Sequence, residues 1–148
     1  MPTYTVTTAN IVLSPEQKAK IAAAITQAHH THTGAPGYFA QVIFTEIAAG
    51  SHFLGGKPNA APHVYVLGLI RGGRTEDLKQ RLMVQILEQA AAIAGVNTED
   101  VWVYVQDVVA GQMAEFGRIL PPPGAEPEWR QGMSRQKIAA LTQAGVVL

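Results

Sequence analysis

A strand–helix–strand pattern appears twice along this chain, and the repetition restricts its fold more than any single residue does. In the first copy, "PTYTVTT" (residues 2–8) alternates so that Tyr4 and Val6 share one face and the threonines the other, the period of a half-buried strand. Ser14 then stands where it can cap a helix, Pro15 fits the first helical position, and Gln17 can close a capping box. Ile21, Ala22, Ile25, Ala28 and His29 recur at helical spacing on one stripe, and "HTGAPG" breaks the run. "YFAQVIFTEI" reads as a second strand. In the second copy, "HVYVLGLIR" is an apolar strand and Thr75 in "GGRTEDL" caps a helix. That helix carries a stripe of Leu78, Leu82, Ile86 and Ile93, Gly95 stops it, and "VWVYV" follows as a strand. Ser14 and Thr75 are 75 − 14 = 61 positions apart, and Phe39 and Trp102 are 102 − 39 = 63. Two copies at this period make a duplicated domain, not a solenoid. The expected fold class is α/β (α+β): one domain over residues 2–148, with β-α-β repeats at about 2–46 and 63–107 and a C-terminal extension at about 108–148.

The extension differs in character. "VVAGQMAEFGRILPPPGAEPEW" holds glycines and a triple proline that cannot continue a helix or a central strand. "SRQKIAALTQAGVVL" can form a short helix capped by Ser134. A tail of this kind is expected to pack on a neighbouring molecule, and the charge content points the same way. Charged residues are 15% of the chain, against about 25% in ordinary soluble domains, so part of the surface is expected to lie inside an oligomer. The 11 basic and 11 acidic residues cancel, which argues against nucleic acid or an anionic membrane as partner. There is no cysteine, which excludes disulfides, thiolate metal sites and cysteine nucleophiles. With no apolar run of bilayer length and no signal-peptide pattern at the start, the expectation is a soluble cytoplasmic protein.

Several residues are candidates for chemistry, each with a plainer alternative. Pro2 is poor strand material because it has no N–H to give. With Met1 removed, its ring nitrogen becomes a secondary amine able to transfer a proton; otherwise it is an ordinary small second residue. In "GLIRGGRTEDL", Arg71 ends a strand and Arg74 stands at the mouth of a helix, where free N–H groups and the dipole already favour anions. Two guanidinium groups there suit a carboxylate or phosphate; equally, they are solvated and pair with Glu76 or Asp77. The "GG" does not match a phosphate-binding glycine fingerprint. His29 and His32 lie one turn apart, but zinc sites need three or four ligands and none joins them. His29 alone faces inward, as a core histidine or a site residue. Trp102 and Tyr104 share one face of a strand, as core or with the tyrosine hydroxyl reaching a cleft. Glu115 in "QMAEFGR" is either a solvated turn residue or a general base.

Together these residues resemble the tautomerase superfamily, and most closely its cis-3-chloroacrylic acid dehalogenase family, from Pro2 to about Trp129. The motifs are "FLGG", "GLIRGGR", "WVY" and the "EFGR" stretch with its following prolines. The family's proline, histidine, two arginines, tyrosine and glutamate fall on Pro2, His29, Arg71, Arg74, Tyr104 and Glu115. The resemblance implies a tautomerase-like fold with a four-stranded sheet, two helices on one face, and a homotrimer. It implies a cofactor-independent, metal-free dehalogenase or hydratase of a small α,β-unsaturated carboxylate. Arg71, Arg74 and His29 would hold the carboxylate, Glu115 and Tyr104 would activate water, and Pro2 would protonate the α-carbon. The alternatives are a keto–enol tautomerase with Pro2 as base, a hydratase or decarboxylase of an alkynoic acid, and a non-catalytic carboxylate-binding trimer. The loop "THTGAPGYF" would cover the site, with Gly37 and Tyr38 making a looser lid.

Overall fold

The alternation in the first segment reappears as burial. In a computed structural model that describes residues 2–148, strand β1 (Thr3–Ala9) buries Tyr4, Val6 and Thr8 and leaves Thr3, Thr5 and Thr7 half-buried. Helix α1 (Pro15–Thr33) starts at Ser14 with a complete capping box: the Ser14 hydroxyl accepts from Gln17 N at 3.1 Å, and Gln17 Oε1 accepts from Ser14 N at 2.9 Å. It ends at Gly34, whose φ of 68° is the left-handed cap that glycine adopts without a Cβ penalty. Strands β2 (Gln41–Glu46), β3 (Phe53–Leu54), β4 (Lys57–Pro58) and β5 (His63–Arg71) follow. Helix α2 (Glu76–Ala94) is capped by the Thr75 hydroxyl and leads to β6 (Val101–Val108).

The four long strands form one sheet in the order β2-β1-β5-β6. Each β-α-β unit pairs its own strands in parallel, β1 with β2 and β5 with β6, and the units meet antiparallel at β1–β5. Both helices pack on one face, where Tyr4, Val6, Ile21, Ile25, Val64, Val66, Ile70, Leu82, Ile86 and Val101 make the main core. The opposite face is uncovered in the single chain, and Trp102 and Tyr104 are 40% and 53% exposed there. The pair expected as core or cleft therefore lies on an open sheet face.

One expectation needs correction. The second strand begins at Gln41, not Tyr38: residues Gly37–Phe39 form a 3-10 turn, and Tyr38 and Phe39 are buried. Their rings turn into a second apolar cluster with Leu120, Trp129 and Met133 instead of joining the sheet. Through that cluster the extension folds back onto its own chain. It contains a hairpin, β7 (Ala114–Glu115) with β8 (Arg118–Ile119), then α3 (Glu126–Gln131) and α4 (Arg135–Gln143). The triple proline stops regular structure, but Pro127 sits in the first turn of α3, where a missing N–H breaks no helical bond. Trp129 Nε1 donates to the Ile119 carbonyl at 2.7 Å and Arg118 lies over its ring, which closes the cap. The expected Ser134 cap is present on α4.

At the centre of the sheet, Gly68 is the cross-strand partner of Tyr4. A Cβ on Gly68 would sit 2.5 Å from Tyr4 Cε1, so the ring occupies the space of the missing side chain. Gly68→Ala is expected to destabilise the fold by about 1–3 kcal/mol, the usual range for overpacking a core. Urea unfolding measures this, and an unchanged midpoint would show that the ring is free to move.

Candidate active site

The tyrosine seated on Gly68 also reaches a histidine. Tyr4 Oη lies 2.9 Å from His29 Nδ1, with the rings edge-on at 5.9 Å. Burial holds the Tyr4 phenol protonated, well above its ordinary range. Burial, aided by the charges of Arg74 and Arg71, lowers the His29 imidazole to about 3. His29 is thus neutral at pH 7. The Tyr4 hydroxyl and Nδ1 share one hydrogen bond, which ties the orientation of the imidazole to the core. His30 and His32 point elsewhere: Nδ1 of His30 meets the Ala35 carbonyl at 2.8 Å, and Nε2 of His32 meets Gln85 Oε1 at 2.8 Å.

Pro2 enters the sheet just before β1. Its carbonyl accepts Gln41 N–H at 2.9 Å and its ring is fully buried. By strand alternation it shares the helix-side face with Tyr4. Met1, whose removal an amine at Pro2 requires, lies outside the described residues.

Arg71 is the last residue of β5 and only 3% exposed. Neither Glu76 nor Asp77 pairs with it; they bind Lys79 and Arg81 instead. Arg71 Nη1 donates to the Pro121 carbonyl at 2.8 Å and Nη2 to the Glu126 carboxylate. Its Nε is buried with no hydrogen-bond partner among the described residues. Arg74 Nη1 turns back to the Arg71 carbonyl at 3.3 Å. Burial and the neighbouring Arg71 charge lower the proton affinity of Arg74 from its usual value. The strand end therefore brings two guanidinium groups and a neutral imidazole together, with one buried N–H unsatisfied.

Glu115 is placed by the β7–β8 hairpin. Phe116 and Gly117 occupy its two turn positions at φ 51° and 78°, the positive angles that a tight primed turn needs. Glu115 and Thr3, Tyr38, Phe39, Leu69 and Val108 line a cavity of about 590 Å³ at the Pro2 end of the sheet. Tyr38, expected to loosen a lid, is packed into this wall. Tyr104 does not line the cavity. It pairs with Leu67, two positions along β5 from Leu69, and its ring meets Tyr65 at 5.3 Å on the open face. The single chain brings His29 within electrostatic reach of Arg71 and Arg74 and sets Pro2 and Glu115 at the same end of the sheet, while Pro2, His29, Arg71 and Arg74, like Tyr104, stand outside the cavity lining.

A family model described as "Putative oxalocrotonate tautomerase enzyme" (Tautomerase_3) matches residues 1–133. The chain belongs to this family. Within the tautomerase superfamily it is similar to N1, a solved member of the cis-3-chloroacrylic acid dehalogenase family. The two are 34% identical, with a TM-score of 0.86 over 95% of this chain and 99% of the other. A second solved structure, native Ps01740, is 31% identical with a TM-score of 0.71, covering 76% of this chain and 99% of its own. A symmetric trimer of fused 4-OT, 24% identical over 80% of this chain and 94% of that one, shares the fold with a TM-score of 0.72. Among curated proteins no significant match is found.

Two residues near this tautomerase-family site were missed by sequence reading. Tyr4 looked like one more core residue, and its bond to His29 spans 25 positions, which no local pattern reveals. Glu126 lay in a stretch without periodicity; its only signal was an acid next to a helix-starting proline in "EPEW".

The neutral His29 has a consequence for pH. An unfolded histidine gains its proton near pH ~6.5, whereas the folded one resists until about 3. Below the unfolded value the unfolded chain binds more protons, so stability is full above it and falls as pH drops towards the folded value. The urea midpoint is expected to fall from pH 7 to pH 5, and less steeply in His29→Gln. Equal slopes in the two proteins would contradict a buried neutral imidazole.

Proposed function

We propose that this protein adds water, without cofactor or metal, to the double bond of a small α,β-unsaturated carboxylate, as a cis-3-haloacrylate dehalogenase or hydratase. The observation that carries the reading is the arginine pair at the end of β5: a buried guanidinium with an unpartnered Nε–H, a second guanidinium beside it, and a neutral His29. Such a socket suits a carboxylate. Binding it there draws electron density from the double bond towards the carboxylate and leaves the β-carbon electrophilic.

The remaining residues supply water and a proton. Glu115, assisted by Tyr104, takes a proton from water as its oxygen bonds to the β-carbon, and the amine of a chain processed to Pro2 protonates the α-carbon. With halogen on the β-carbon, the adduct carries hydroxyl and halogen on one carbon. It expels halide and a proton to leave malonate semialdehyde. Tyr104 reaches this chemistry in a homotrimer, where its open sheet face meets a neighbouring copy. The exposure of Trp102, Tyr104 and Ile43 on that face supports such an assembly, and light scattering is expected to report a trimer.

The family description favours a second reading, keto–enol tautomerisation with Pro2 as base. The protonation state of Pro2 divides the two: Arg71, Arg74 and burial lower the affinity of an amine for its proton, and Glu115 raises it. Halide release from cis-3-chloroacrylate and ketonisation of a small α-keto acid enol, both assayed on Met-processed protein, separate them. Pro2→Ala and Glu115→Gln are each expected to lower kcat for halide release by about 100-fold or more, while Arg74→Ala chiefly raises KM. Ketonisation without halide release moves the assignment to the tautomerase. Equal loss of simple binding in all three variants points to a carboxylate-binding protein.

A further inference from the structure

Burying one guanidinium without a counter-charge is costly, and Arg71 is buried. The C-terminal cap supplies the compensation. Glu126 takes Nη2 of Arg71 on one carboxylate oxygen and the Gly124 N–H, at 2.8 Å, on the other. The carboxylate cannot turn away from Arg71 without giving up a bond. The Pro121 carbonyl occupies Nη1 from the same segment. Nε–H of Arg71 and the guanidinium of Arg74 are the arginine groups left for an anion, and half of the arginine charge is already balanced.

The charge count follows. Arg71 and Arg74 contribute two positive charges, Glu126 removes one, and His29 is uncharged. Pro2 and Glu115 cancel when both are ionised. Asp107 acts on Arg74 but is itself paired with Lys79 at 3.2 Å. Arg130, which acts on Tyr38, lines a separate groove with Glu126, so the end of β5 itself keeps one net positive charge. We propose that Glu126 restricts this site to a single negative charge, so that it selects small monocarboxylates over dicarboxylates of similar size. The inference rests on the reading of Arg71, Arg74 and His29 as a carboxylate socket. A second carboxylate on the ligand finds no second uncompensated cation at the end of β5, and the loss of its hydration is not offset there.

Calorimetric titration of the Met-processed full chain with acrylate and with maleate, at pH 8 where both maleate carboxylates are ionised, tests this. The native protein is expected to bind acrylate at least about tenfold more tightly than maleate. Glu126→Gln keeps an acceptor for Arg71 but removes the charge. It is expected to shift the preference about tenfold towards maleate, while Glu126→Asp keeps the native order. Maleate binding as tight as acrylate in the native protein overturns the proposal, whether or not the glutamine variant folds. So does an unchanged ratio in a folded Glu126→Gln protein; in both cases the carboxylate socket stands. Failure of the native protein to bind acrylate removes the socket itself, and the proposal with it.

Discussion

Tyr4 rests on the backbone of Gly68 where the two β-α-β units join, and much of the candidate site depends on that contact. The antiparallel β1–β5 ladder is the seam between the repeats, and Gly68 is the place in it where a side chain is missing. The space lets a tyrosine lie flat in the core and carry its hydroxyl to His29 on α1. One packing event therefore fixes the register of the seam, the seat of α1, and the orientation of the imidazole. The site is built outward from the core.

The helices were readable because their signals are local. Ser14 with Gln17, Thr75, and the glycines at 34 and 95 specify helix ends within a few residues, and each acts where expected. The strand alternation at Tyr4 and Val6 was equally plain. The turn at Tyr38 and Phe39 was not, because two aromatic residues before a strand look like strand until Trp129 and Phe116 are brought up from the far end of the chain. The same distance hid α3. Its stability comes from burying Trp129, and no periodicity over six residues announces that.

The candidate residues divide in a way that follows from how each was found. His29, Arg71 and Arg74 sit at the ends of strongly patterned elements, and the fold assembles them. The sequence offered Glu76 and Asp77 as partners for the arginines because they are close along the chain. The structure engages Glu126, 126 − 71 = 55 residues away, because the folded cap brings it against the buried guanidinium. Tyr104 was correctly seen to share a face with Trp102, but which face is open depends on where both helices pack, and a single strand carries no record of that.

The duplication has one more consequence. The second repeat begins, like the first, with a proline just before its strand: Pro62 precedes β5 as Pro2 precedes β1, 62 − 2 = 60 positions apart. The nitrogen of Pro62 is a tertiary amide, its lone pair delocalised into the preceding carbonyl, and it holds no proton at any ordinary pH. Joining two units in one polypeptide silences the second unit's proline by covalent linkage alone. Of two nearly equivalent frameworks, only the first can present a free amine, and the other half of the chain is released to serve as its wall.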